Sequence, residues 1–391
     1  MAKPEIRLKG FKGEWESYLL STISERYDNL RIPVKESCRK KGKIPYYGAN
    51  GIQDYVDGFT HDGEYILIAE DGANDLTEYP VQYVNGKVWV NNHAHVICGN
   101  SKALTLFLKY AISCANVKSI LVGGTRAKLT ADAMMKLELL IPTKDEQVAL
   151  AGYFKSLDSM ILGVTKKIAS LKQMKQACLV SMFPQAGETK PRVRFKGFKG
   201  EWLHVELSSI AKRITRKNSQ LESTLPLTIS AAEGLIEQTA FFNNVVASSN
   251  VSGYYLLKKG EFAYNKSYSN GYPFGAVKRL DRYNMGVLST LYIVFSVDES
   301  VSSDYIVHFF DTSLWHKEVA MRAAEGARNH GLLNIGAEDF LDIDIFLPKD
   351  ISEQQQIASF FTSLDKQISL QEARLEKLKQ IKAACLDKMF V

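Results

Sequence analysis

Apolar residues at Leu157, Ile161, Val164, Ile168 and Leu171 are spaced by steps of 4, 3, 4 and 3, and the same steps recur at Leu364, Ile368, Gln371, Leu375 and Leu378. This is the spacing of a heptad seam. Polar residues fill the other faces (Lys166, Lys167, Lys172; Lys366, Arg374, Lys377, Lys379). Thr143 with Glu146, and Asp350 with Glu353, have the spacing of a capping box, in which the glutamate reaches back to the first free N–H. Pro142 and Pro348 block helix upstream of each. From Thr143 to Phe183 is 41 residues, roughly 60 Å if unbroken at 1.5 Å per residue. Each stretch is either a core helix of its own domain or one strand of a helix pair. Ordinary helices run only ~8–20 residues, and these two share one seam. The pattern therefore predicts an antiparallel coiled coil.

The helices belong to a longer repeat. Residues 6–15 (IRLKGFKGEW) and 193–202 (VRFKGFKGEW) agree at eight of ten positions, and 171–183 and 378–390 at nine of thirteen. Lys3-Pro4 likewise matches Lys190-Pro191, so the chain reads as a two-unit ring cut at one linker. Two long blocks that share almost no sequence lie between these markers. Weak landmarks recur within them in the same order: Gly63-Glu64-Tyr65 with Gly260-Glu261-Phe262, and Gly124-Thr125-Arg126 with Gly326-Ala327-Arg328. A duplicated frame with two different inserts predicts one kind of task performed on two different targets.

Within the blocks, short β-rich runs predict strands at 65–68, 87–90, 94–97 and 291–295, and helices follow around 102–113 and 303–322. Frequent turn residues separate them. Each block is read as a mixed α+β domain of about 130 residues.

Three loop clusters in each block have recognition chemistry. In the first block these are Tyr46–Gly51, with Tyr47 and Asn50; Asn91-Asn92-His93; and Gly123–Lys128, with Thr125, Arg126 and Lys128. Asn74 lies in a further turn. In the second they are Tyr264–Tyr272, with Lys266, Ser267, Tyr268, Ser269, Asn270 and Tyr272; Gly326–Gly331, with Arg328, Asn329 and His330; and the vaguer Ser230–Gly234. Arginine suits guanine and asparagine suits adenine in the major groove, while Lys, Ser, Thr and Tyr suit phosphates. The same residues are also turn formers, so each cluster taken alone is equally an ordinary solvated turn. His93 and His95 form an HxH pair that a strand would point to one face, but no third ligand is evident and no metal site is assigned.

Catalytic signatures are missing. No Pro-Pro pair occurs, which excludes the Asn/Asp-Pro-Pro-aromatic motif of amino-methyltransferases, and no GxxxxGK[ST] loop is present. The FKGFKG runs follow no strand and open no helix, so they read as a docking segment of the repeat. The five cysteines are scattered without a CxxC; Cys178 and Cys385 occupy equivalent helix positions as small apolar residues. With no apolar run near the ~18 residues that span a bilayer and no secretory signal at the N-terminus, a cytoplasmic location is expected. Net charge is +6, low for a polyanion binder.

These features together resemble the specificity (S) subunits of type I restriction–modification systems, the HsdS family. The resemblance spans essentially the whole chain. It rests on the FKGFKGEW starts, the blocks closing on Gly-Thr/Ala-Arg, the Pro…Glu-Gln turns at Pro142, Glu146, Gln147 and at Pro348, Glu353, Gln354, and the Ser-Leu-Asp…Leu-Lys-Gln…Met-Phe helices. It implies an α+β fold in which two target-recognition domains (1–141 and 188–347) alternate with two central conserved helices (142–187 and 348–391), with pseudo-two-fold repeat symmetry. It also implies a non-catalytic chain that binds a bipartite, asymmetric site on double-stranded DNA. Two adenine-N6 methyltransferase (M) subunits would join it, and restriction/motor (R) subunits through them. S-adenosylmethionine, ATP and Mg would then belong to the partners, and this chain would hold no cofactor. The helix pair would act as a ruler holding the readers about one DNA turn apart, ~34–36 Å. Sequence-independent affinity is expected mainly from partners closing around the duplex. Two rival readings stay open on the residues alone: a coiled-coil scaffold with protein-binding heads, and a fused DNA-modifying enzyme.

Overall fold

A computed structural model describes residues 3–123, 127–230, 233–242, 250–268, 271–323 and 333–390. The chain forms two compact units, one made of Met1–Lys166 with Glu372–Val391 and the other of Lys167–Gln371. The two long helices are Lys144–Ser181 and Ile351–Met389, so each unit contains part of both. Among the described residues, no helix is long and apolar enough to cross a membrane.

The first unit is built on a six-stranded sheet in the order Ser24–Arg26, Ala94–Gly99, His61–Ala69, Val81–Val90, Lys41–Gly48, Gly51–Val56. All pairings are antiparallel except that of Lys41–Gly48 with Val81–Val90, which is parallel at Tyr46↔Trp89 and Tyr47↔Val90. The C-terminal half of strand His61–Ala69, from Tyr65 on, reads as a continuous apolar run because both of its faces are covered there. Ile66 and Ile68 pack with Phe107 and Leu108 of helix Thr105–Cys114, and Leu67 faces Val84, Val88 and Val96 on the other side. A two-strand ladder of Glu16–Leu19 and Glu138–Ile141 leads into the first long helix.

The second unit has a four-stranded sheet, Ala211–Arg213, Ile293–Val297, Phe262–Asn265, Ala276–Arg279, and three two-strand ladders. Its core is aromatic: Tyr264 stacks on Phe340 at 4.3 Å and Phe262 on Phe295 at 5.2 Å. The four strands of this sheet pair antiparallel in the same order as Ser24–Arg26, Ala94–Gly99, His61–Ala69 and Val81–Val90 of the first unit, and Pro226 bridges Val287 in parallel much as Tyr46 meets Trp89. The inserts thus share a skeleton under different sequences, and the closing ladder recurs as Leu203–Glu206 with Asp344–Leu347.

Each unit pairs its helix segments antiparallel, as the seam predicts. In the first, the Tyr153 hydroxyl meets Cys385 Sγ at 3.4 Å and Asp158 meets Lys382 at 2.5 Å, so positions climb on one helix as they fall on the other. In the second, Leu171 packs with Leu364 and Ile368, and Lys175 bonds Asp365 at 2.7 Å.

Four expectations change. The predicted helix 303–322 is two helices, Ser303–Phe309 and Leu314–Arg322. Between them the Thr312 hydroxyl donates to the Phe309 carbonyl and accepts from Leu314 N–H, a local bonding pattern that competes with helix. The helix around 102–113 starts only at Thr105, because the Gln147 side chain holds Lys102 O and Leu104 N in an extended segment. The capping-box glutamates do not reach back. Glu146 takes a bidentate pair from Arg7 (2.7 and 2.6 Å), and Glu353 takes one from Arg194 (2.6 and 2.7 Å). Lastly, His93 sits in the turn before strand Ala94–Gly99, so it does not share a face with His95.

Candidate nucleic-acid interface

In the first unit the loops singled out by sequence converge. Strand Lys41–Gly48 ends at a hairpin tip where the Asn50 amide donates to Gly72 O and its oxygen accepts from Asn74 N–H, both at 2.9 Å. Asn91 N–H bonds Tyr47 O, which places the Asn91–His93 turn beside the same strand. Asp71 accepts from His93 Nδ1 at 2.5 Å, and its backbone forms an isolated β-bridge with that of Lys128. Tyr47, Asn50, Asn74, Asn91, Asn92, His93 and Lys128 therefore lie around connected loops.

Their roles separate by burial. Asn91 is 4% exposed and folds its own turn, its Oδ1 accepting from His93 N–H at 2.8 Å. Tyr47 is half-buried against the Leu67 face, and burial pushes its hydroxyl pKa up. Asn74, Asn92, His93 and Lys128 are exposed, as is Asn50, whose amide is already spent on the neighbouring loop. Thr125 and Arg126 lie outside the described residues; Val122 and Lys128, on either side, exchange two backbone hydrogen bonds.

Beneath these loops lies a charge network that sequence reasoning missed. His95, 2% exposed, sets Nδ1 at 2.7 Å from Asp28 and Nε2 at 2.9 Å from the Leu129 carbonyl. Glu70 receives Arg31 at 2.6 Å and Lys128 at 2.8 Å. Burial pushes the Glu70 carboxyl up, but the hydrogen bonds from Lys128 and Arg31 outweigh it and hold it below its ordinary value. Asp28 shows the same balance, with burial outweighed by His95 and the Val96 N–H. No local motif announces this set, because its members come from four separated segments.

In the second unit, Lys266 Nζ donates to Ile335 O at 3.2 Å and Lys266 O accepts from Leu333 N–H. Asn265 Oδ1 caps Ser267 N–H at 3.0 Å. Tyr268 and Tyr272 are exposed. Ser269, Asn270, Arg328, Asn329 and His330 lie outside the described residues. His308, Asp311 and Asp365 bring possible ligand atoms within 4.8 Å. Lys175 Nζ, at 2.9 Å from Asp311 and 2.7 Å from Asp365, already supplies the cation there.

The frame is the same in both units. Trp15 packs edge-on to Phe390 at 6.1 Å, and Trp202 to Phe183 at 6.0 Å. Ile6 N–H bonds Lys388 O at 2.9 Å, and Val193 N–H bonds Ser181 O at 2.8 Å. A sequence model described as "Type I restriction modification DNA specificity domain" matches residues 12–173 and 232–380. The chain belongs to this specificity family. It is 41% identical over 156 residues to a putative type I restriction enzyme specificity subunit of Haemophilus influenzae, covering 40% of each chain. It is 25% identical over 134 residues to the EcoprrI specificity subunit of Escherichia coli, covering 34% of this chain and 32% of that one. The alignments thus span only about a third to two fifths of these relatives. The crystal structure of a type I restriction–modification S subunit from M. genitalium matches 100% of this chain and 99% of its own at a TM-score of 0.71 and 13% identity, which shows a shared fold.

Proposed function

We propose that this chain is the DNA-reading subunit of a type I restriction–modification complex and carries no catalysis of its own. Each recognition domain reads one half of a bipartite, asymmetric site. The helix pair sets the spacing and recruits two adenine-N6 methyltransferase subunits, and through them the motor/nuclease subunits. S-adenosylmethionine, ATP and Mg serve those partners, and the complex works in the cytoplasm. The observation that carries this reading is the contrast between frame and insert. The same Arg–Glu pair, Trp–Phe contact and closing ladder hold two domains with one strand order but almost no shared sequence, as two different half-sites on one scaffold require. Asn74, Asn92, His93 and Lys128 on the first unit, and Tyr268 and Tyr272 on the second, are its described candidates for DNA contact. Arg126 and Arg328 are proposed to add specific contacts, each worth ~1–3 kcal/mol if bidentate to guanine.

Exchanging residues 16–141 for the corresponding insert of another member tests the modular reading. Methylome sequencing of a host carrying the intact operon should show one half of the methylated motif changed and the other retained. A change in both halves would remove the reading. Arg328→Ala should weaken DNA binding without lowering the melting temperature.

A further inference from the structure

Seven consecutive residues, KGFKGEW at Lys9–Trp15 and again at Lys196–Trp202, are identical in the two copies, and the structure separates those the fold needs from those it does not. Gly10 and Gly13 have φ of +101° and +91°, and Gly197 and Gly200 have +106° and +84°, conformations that favour glycine. Trp15 and Trp202 are buried. Arg7 donates to the carbonyls of Gly13 (2.5 Å) and Lys12 (3.1 Å), and Arg194 donates to that of Gly200 (2.6 Å), so the pair with the helix glutamate also closes each loop. Of the remaining side chains, Glu201 accepts from the Thr189 hydroxyl at 3.1 Å; the others have no such duty. Lys9, Lys12 and Glu14, and Lys196, Lys199 and Glu201, are exposed, and Phe11 and Phe198 are half-exposed. Neither phenylalanine belongs to an apolar cluster of its unit, whereas Leu8 and Phe195, three residues earlier, do. Among the described residues none of the four lysines forms an ion pair. A further apolar pair sits nearby in sequence: Ile6 and Val193 are 50% and 52% exposed.

Exposed side chains are the freest to differ between copies, and the inserts of this chain have diverged almost completely. Four exposed or half-exposed side chains kept in duplicate on preorganised loops therefore point to one surface used twice. We propose that the two KGFKGE loops are equivalent docking points for two copies of a single partner protein. Phe11 and Phe198 are the anchors, and the lysines meet acidic groups on the socket's rim. An aromatic knob ringed by charge on a loop held rigid before binding is the usual form of an interface anchor. Backbone phosphates are the other possible target, being the same at both half-sites. The exposed carboxylates of Glu14 and Glu201 within the loops, and the apolar Ile6 and Val193 nearby in the chain, favour protein. This inference rests on the reading above, in which the partner is the methyltransferase subunit.

The test uses the full chain mixed with its methyltransferase subunit, with stoichiometry read by native mass spectrometry. Wild type should take two copies. Phe11→Ala and Phe198→Ala should each weaken one binding step at least tenfold, and the double variant both steps, with the melting temperature of the isolated chain unchanged. The charge variant Lys12→Glu/Lys199→Glu should show the same loss without touching the aromatic rings. Two copies bound by both double variants at wild-type affinity would overturn the proposal. So would intact assembly with lost DNA binding by the isolated chain, which would assign the loops to DNA. A wild-type chain that takes no methyltransferase subunit would instead fail the reading on which the inference stands, and the inference with it.

Discussion

Removing the guanidinium of Arg7 leaves the Glu146 carboxylate, 1% exposed, without its bidentate partner. Breaking a buried pair from one side strands a desolvated charge, so Arg7→Ala should cost about 3 kcal/mol. Arg7→Lys should recover little, because an ammonium cannot supply two parallel N–H donors. Arg194→Ala should do the same to the second unit, where Glu353 is equally buried. Urea unfolding measures both, and a loss under ~0.5 kcal/mol would reduce the pair to a surface contact. Asp28 makes a pH-dependent case. Its folded pKa lies below the unfolded value of ~3.9, so its contribution is fully present above that value and is lost as pH falls through the folded value. Asp28→Asn should cost ~1–3 kcal/mol at pH 7. It should also flatten the fall in stability that the wild type shows on acidification below about pH 4, followed by urea midpoints across that range.

At the scale of elements, one interhelical contact occurs twice. Lys382 with Asp158 and Lys175 with Asp365 are equivalent positions of the repeat. In the second unit Lys175 also reaches Asp311 of the recognition domain, where Lys278 and His308 converge. Burial pushes the Asp311 carboxyl up, but His308 and the two lysines hold it far below the usual range. Lys175→Met should therefore destabilise more than Lys175→Met combined with Asp311→Asn. The double-mutant cycle should give a coupling of ~0.5–3 kcal/mol; additive effects would mean that the lysine does not tie helix to domain. The helices and their pairing were legible from sequence because a seam is periodic and local. The strands around 65–68 and 94–97 were legible because each contains a β-rich apolar run, although the first extends back to His61. The role of Glu146 was not: its spacing from Thr143 fits a cap, and nothing local shows that Arg7, 139 residues away, takes the carboxylate instead. The candidate loops were legible as a set of turns, but not in their division of labour. Asn91 and Asn92 look alike in sequence, and only burial makes one a turn former and the other an exposed amide.

At the scale of the whole molecule, the proposed ruler makes the strictest demand on the helices. The seam has a period of seven, so deleting seven residues preserves its phase and shortens a helix by ~10 Å, about three base-pair steps. A deletion in one helix alone would bulge the other and leave the separation untested. The matched pair Val164–Ser170 and Gln371–Lys377 avoids this. Each segment spans the position where its helix passes from one compact unit to the other. Both flanking ion pairs, Lys382 with Asp158 and Lys175 with Asp365, lie outside the deleted residues and keep their partners. The shortened chain, assembled with its partners, should prefer a spacer reduced by about three base pairs, or lose binding because half-sites brought about three base pairs closer no longer share one face of the duplex. Oligonucleotides that hold both half-sites constant and step the spacer by single base pairs distinguish these outcomes. Undiminished affinity for the original spacer would show that something other than helix length sets the distance between half-sites.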